Sequence, residues 1–322
     1  MQISCPPLLL ENKGELHVLG GFYMKENGFL IYDKIETEKG AIAKIMLNRP
    51  DHGNRINGEM WHDFMEAVDR ASADRDVRVV IFGGVGEDFC CGFDTGDPSV
   101  SLNANEAGQV TFADRRENTM EEVDTWLKIY NMRKPTIGMV QGTALGGGWL
   151  LAMCCDCLCA ADNAVFDNSE FAMNMSYTLY LPWDAWKLPM NIAKEKAFTG
   201  YTITAPEGYR LGLCNRCVPV EKLENTTMDL AKRMLKLSPY TLTMHKELYK
   251  MAYDLRGIQQ IIPFSQEVFS ISMEMPGTPE NQALWEIAKT QGGAAMDAEF
   301  TRQARVLREE ERAFRDPKEI NF

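Results

Sequence analysis

The sequence has no basic surplus: 34 Lys and Arg stand against 46 Asp and Glu, a formal charge of −12. Binding nucleic acid by neutralising phosphates needs the opposite balance, so no nucleic-acid partner is expected. A few local donors still suffice for an anionic small ligand. Long apolar runs are also missing. The longest, Trp149 to Cys155, is far short of the ~20 residues that span a bilayer, so no membrane association is expected. Met1-Gln2-Ile3-Ser4-Cys5-Pro6 carries neither a basic n-region nor an apolar stretch, so it does not read as a signal peptide. The nine cysteines are odd in number, and six of them (Cys90, Cys91, Cys154, Cys155, Cys157, Cys159) lie in apolar or Gly-rich runs. A secreted disulfide framework looks different, and a reducing cytoplasm is the expected compartment. Histidine is scarce. His17, His52, His62 and His245 are scattered, and none joins a Ser or Cys in a nucleophile motif.

What is present suits a soluble globular chain. Of 322 residues, 45% are hydrophobic and 25% charged, enough to build a large core. Residues 1–28 show no clear period and read as an N-terminal extension. Residues 29–220 alternate strand and helix signals. Leu30-Ile31-Tyr32 and Ala41 to Leu47 read as strands joined by a turn at Glu38-Lys39-Gly40. Asn57 suits an N-cap for a helix with Met60, Phe64, Ala67 and Ala71 on one face. Val77 to Phe82 and Thr136 to Val140 are further strands, and Pro135 stops the helix that carries Met120, Val123, Leu127 and Tyr130. Strands separated by helices argue for an α/β core. Residues 221–322 carry amphipathic helical patterns.

Two loops that leave buried strands hold the candidate chemistry: Phe89-Cys90-Cys91-Gly92-Phe93-Asp94 and Leu145-Gly146-Gly147-Gly148-Trp149. A helix that begins in a Gly run aims free N–H groups at the mouth of a site. Two such groups from separate strands can converge on one oxygen as an oxyanion hole, each donor worth about 3 kcal/mol in a transition state. Alternatively, Gly146 to Gly148 serves tight helix–strand packing. The run is not a P-loop, because no Lys-Ser/Thr follows, and its spacing is not the dinucleotide fingerprint. Cys154 with Cys157 and Cys214 with Cys217 have C-x-x-C spacing, but their apolar or strand settings favour buried small hydrophobes over a metal, and none is expected.

The order Leu47-Asn48-Arg49-Pro50, Phe89 to Asp94, Lys134-Pro135-Thr136-Ile137 and Gly142 to Gly148 resembles the crotonase superfamily of enoyl-CoA hydratases and isomerases. The resemblance continues through Asp156, Phe166, Glu170, Phe198-Thr199-Gly200 and Leu213 to Pro219. It implies a crotonase-like spiral of repeated ββα units with a C-terminal helical trimerisation region, as a homo-trimer or hexamer. It further implies an acyl-CoA or small carbonyl substrate, handled as a thioester enolate, with coenzyme A entering only as part of the substrate and no other cofactor. By the same resemblance, Cys91 and Gly147 match the oxyanion-hole positions. Arg55 lies in the loop that helps hold CoA, and Phe93, Asp94 and Leu150 are read as lining the substrate.

The acids bear on the reaction type. Hydratases of the family present two carboxylates; here the first position is Leu150 and the second is Glu170. A single Glu can act as base and then acid on one substrate. That pattern fits hydration, dehydration or double-bond isomerisation. Hydrolysis of a carbon–carbon bond in a cyclic β-diketone or ring acyl-CoA is an alternative, as is a catalytically silent interaction subunit. After Glu170 the family's Gly-Gly turn is replaced by a run with Tyr177, Tyr180, Trp183 and Trp186. It reads equally as an apolar acyl pocket, with Tyr177 and Trp183 in it, or as packing at a subunit contact. Asp184 is a possible extra acid.

Overall fold

The computed structural model describes residues 17–19, 22–24, 28–94, 96–97, 100, 111–167, 178–179, 181–275 and 277–314. The chain starts with β1 (His17–Leu19), β2 (Phe22–Met24), β3 (Leu30–Ile35) and β4 (Ala41–Leu47), followed by α1 (Gly58–Ala73) and β5 (Val77–Gly84). Next come α2 (Phe112–Asn131), β6 (Thr136–Val140), β7 (Thr143–Leu145), α3 (Gly147–Cys154), β8 (Cys157–Ala161) and β9 (Val165–Asp167). Then follow α4 (Leu181–Lys187), α5 (Met190–Thr199), β10 (Ile203–Thr204), α6 (Ala205–Leu211) and β11 (Arg216–Val218). The rest is helical: α7 (Val220–Met234), α8 (Pro239–Leu255), α9 (Ile258–Ser272), α10 (Pro279–Gln291) and α11 (Gly293–Phe314).

The larger sheet runs β1-β2-β3-β4-β5-β6-β8-β11, antiparallel as far as β4 and parallel from there on. β1 and β2 fall in the stretch read from sequence as an unpatterned extension, so the sheet begins before residue 29. They are three residues each, too short for a period to show. The parallel strands read as nearly unbroken apolar runs because both faces are covered. Alternate residues of β4 and β5 divide between the faces: Ala43, Ile45, Val80 and Phe82 enter one core, while Ile42, Met46, Val79 and Ile81 enter the other. α7 closes the second face with Leu223 and Ala231. α1 covers the first with Met60, Phe64, Ala67 and Ala71, and its Asn57 cap accepts from the Met60 amide at 2.9 Å.

The smaller sheet, β10-β9-β7, holds the candidate site. Single bridges extend it outward, Cys90 to Ala144 and then Ile56 to Phe93. Each turn of the spiral thus lays one short segment beside the last. α9 packs on α2, where Arg116 meets Glu267 through Nε at 2.8 and 3.0 Å. Beyond this contact α8 and α9 expose Tyr240, Met244, Leu248, Leu255 and Phe264. No described helix is long and apolar enough to cross a membrane.

Candidate active site

The three glycines of the triplet differ in what they do. Gly146 has φ 54° and ψ −116°, a conformation that L side chains rarely adopt, and it turns the chain from β7 into α3. Gly148 serves packing: a Cβ there would lie 2.1 Å from the Cys90 carbonyl oxygen. Gly147 is the first helical residue of α3. Its amide therefore has no intrahelical acceptor, and no side chain caps the end. A Cβ on Gly147 would meet Phe93 Cε2 at 3.1 Å, so the two loops are in contact here.

The facing loop corrects one expectation. The Cys91 amide is not available as a donor, because it gives its hydrogen to the Gly53 carbonyl at 2.9 Å. The Asp94 amide also points to that side, donating to Ile56 at 2.9 Å, and Ile56 donates to Gly92 at 2.8 Å. The Phe93 N–H lies in the chain between the engaged amides of Cys91 and Asp94. Among the described residues no acceptor takes it. A Cβ built on Gly92 would lie 3.8 Å from the Gly147 nitrogen, which fixes how near the two segments run. The unpaired amides that share this spot are therefore those of Phe93 and Gly147.

The pairing of these loops rests on two residues that composition did not single out for this work. Asn54, fully buried with φ 53°, accepts from the Arg49 amide at 2.8 Å and donates to the carbonyls of Val85 at 2.9 Å and Asp88 at 2.7 Å. Arg49 reaches across to the Arg55 carbonyl at 3.2 Å and pairs with the Asp94 carboxylate. Asp94, expected to line the substrate, is thus engaged in holding the loop. Local signals for either role were absent, since both depend on partners dozens of residues away.

Arg55 is half-buried in the turn that precedes Ile56, its amide bonded to His52 at 3.1 Å. Phe93 is half-buried and meets Trp61 edge-on with centroids 5.5 Å apart; Trp61 in turn meets Trp126 at 5.2 Å. Leu150 stands at 2% exposure in the main core, one turn into α3. An apolar side chain there suits its surroundings, and it has no proton to move. Glu170 and Tyr177 lie outside the described residues.

Trp183 was expected either to line an acyl pocket or to pack at a subunit contact. It is 3% exposed and stacks edge-on against Tyr130 at 5.3 Å, in a cavity shared with Cys154 and Cys157. Cys154 is the last residue of α3, about 10 Å of helical rise from Gly147. Asp184 is wholly buried and accepts from the Trp149 indole nitrogen at 2.9 Å, while the Lys196 ammonium lies 4.9 Å from the Trp149 ring centre. A side chain so enclosed serves packing, not proton exchange with a ligand.

The described cysteines are free thiols. Burial pushes Cys90 and Cys214 up to about 12, and Cys154 and Cys155 well above the ordinary thiol value, so they are poor nucleophiles. Among the described residues, one set of possible ligand atoms clusters within 4.8 Å, that of His62, Asp63 and Glu66. His62 and Glu66 are exposed on α1, and acidic surface groups of this kind are ordinary.

A family model described as enoyl-CoA hydratase/isomerase matches residues 37–274. A probable mitochondrial enoyl-CoA hydratase of Dictyostelium discoideum is 31% identical over 236 residues, covering 72% of this chain and 80% of that protein. A carnitinyl-CoA dehydratase of Proteus mirabilis is 30% identical over 68% of this chain and 80% of its own length. Among solved structures, an enoyl-CoA hydratase/isomerase from Xanthobacter autotrophicus Py2 superposes with a TM-score of 0.71 at 29% identity, covering 84% of this chain and 97% of that one.

Proposed function

Because the chain belongs to the enoyl-CoA hydratase/isomerase family, we propose that it transforms an acyl-CoA thioester through an enolate held by the Phe93 and Gly147 amides. The observation that carries this reading is the pair of amides without acceptors, on loops that touch through Gly92, Phe93 and Gly147. Hydrogen bonds to the thioester oxygen strengthen as it becomes an oxyanion, so the pair lowers the barrier to proton removal at the neighbouring carbon. The positive end of α3 adds to the same effect.

Glu170 is the proton carrier in this reading. β9 ends at Asp167, in register with Leu145, two residues before Gly147. Glu170 follows three residues later, and three residues span at most ~10 Å of chain. With Leu150 apolar, one carboxylate serves both proton transfers, a pattern suited to double-bond isomerisation or to hydration by a single acid–base group. Arg55 is the candidate contact for CoA, the substrate's own carrier, and no further cofactor is invoked. The exposed apolar residues of α8 and α9 offer a surface for assembly, proposed as a homo-trimer or hexamer whose mass light scattering reads, and the cytoplasm is the proposed compartment.

The test is turnover. Crotonyl-CoA and a 3-enoyl-CoA, followed at the enoyl absorbance, are expected to be consumed or formed by the wild type. Glu170→Gln is expected to lower kcat by roughly 10²–10⁴ with KM little changed. Absence of turnover on every enoyl-CoA, or a Glu170→Gln enzyme as fast as wild type, defeats the reading.

A further inference from the structure

A separate cavity of about 420 Å³ lies at the far end of α3 from Gly147, between the sheet core and α8. Several large rings line it: Tyr130 from α2, Trp183 and Trp186 from α4, and Tyr249 and Tyr253 from α8. Its polar groups are out of balance. The Tyr130 hydroxyl and the Trp186 indole nitrogen are buried atoms without a hydrogen-bond partner. Burial without a partner costs a polar group free energy that an acceptor would restore.

The charges are uneven in the same direction. Of the ammonium groups lining the cavity, Lys246 is paired with Asp156 at 2.7 Å and Lys250 with Asp254 at 2.8 Å. Lys187 instead donates to the Cys155 carbonyl at 2.9 Å, and among the described residues no carboxylate lies within ion-pair distance of it. One uncompensated cation and two unsatisfied donors therefore share a space walled by rings. We propose that this cavity binds a small aromatic carboxylate, its ring against the aromatic walls and its carboxylate accepting from Lys187, Tyr130 and Trp186. An acid of this kind supplies the acceptors the cavity lacks and leaves the apolar walls covered. The inference is independent of the acyl-CoA reading, since the cavity and the free amides lie at opposite ends of one helix.

Calorimetric titration of the full chain with phenylacetate and 2-naphthoate, against phenylacetamide as the neutral control, tests it. One-to-one binding of at least one acid is expected, with the amide weaker by about tenfold. Lys187→Met is expected to weaken the acid by a similar factor and leave the amide unaffected, which also reports that the cavity is intact. Tyr130→Phe is expected to have a smaller effect in the same sense. Soaked crystals are expected to show the ligand beneath α8. The proposal is overturned if neither acid binds, if acid and amide bind equally, if Lys187→Met leaves acid affinity unchanged, or if the ligand sits beside Phe93 and Gly147 instead.

Discussion

The two ends of α3 are built from similar materials and finish in different states. At the N-terminal end, Gly146 and Gly148 remove side chains so that two loops come close, and polar groups left over belong to the backbone: the amides of Phe93 and Gly147. At the C-terminal end no glycine clears the way, and large rings of α2, α4 and α8 enclose a cavity whose spare donors belong to side chains. Backbone donors are positioned by the fold and move little, which suits stabilising a charge that appears only in passing. Side-chain donors have more freedom and suit holding a ligand that is charged throughout. Between the ends, α3 is wholly buried, and Trp149 anchors its middle to Asp184.

Substitutions within the helix can separate the ends. The largest effect is expected from Gly147→Pro, which removes the amide hydrogen at a first helical position that accepts proline well. On the proposed chemistry, kcat should drop by about 10²–10³ while the melting temperature stays near wild type. Gly147→Ala is the control. It keeps the amide, its Cβ has only the tip of the Phe93 ring to displace, and most of the activity should survive. Loss of activity in both variants would mean that crowding, not the donor, is responsible.

Trp149→Phe tests the middle. It takes from buried Asp184 a donor at 2.9 Å and should cost about 1–3 kcal/mol in urea unfolding, with kcat changed little. A large fall in kcat without loss of stability would show that the site depends on Trp149 directly.

The smallest effect concerns the buried thiols, two of them at the C-terminal end of α3. Burial holds Cys154 and Cys155 neutral, and Cys90 and Cys214 rise to about 12 from an ordinary 9.0. Above pH 9 the unfolded chain loses these protons first, so the folded state binds more of them and stability falls as pH rises from 9 toward 12. At pH 8 the same thiols should resist labelling by a disulfide reagent until urea is added. Prompt labelling of Cys154 or Cys155 in the native protein would show that the cavity end of α3 opens readily.

Much of this architecture was legible one residue at a time. β-branched runs at Val77 to Phe82 and Thr136 to Val140, the Asn57 cap and the Gly run before Trp149 carry their meaning locally, because strand, cap and helix start each depend on neighbours in the chain. β1 and β2 were not legible, since three-residue strands leave no period. The site was legible as a pair of loops but not as a pair of donors. Cys91 and Phe93 are two residues apart, and nothing in either side chain says which amide is taken.

What the sequence determined by itself is the alternation of strands and helices and the two Gly-containing loops, because those follow from backbone preference and periodicity within short windows; the family entered through the resemblance of its ordered motifs. The tertiary structure alone decided that Gly53 takes the Cys91 amide and leaves that of Phe93, that Arg49 claims Asp94, and that Trp183 joins Tyr130 and Lys187 around one cavity. The physical reason is that a hydrogen-bond donor counts as free or satisfied only by what lies across from it, and what lies across is set by strand register and helix packing between residues distant in the chain.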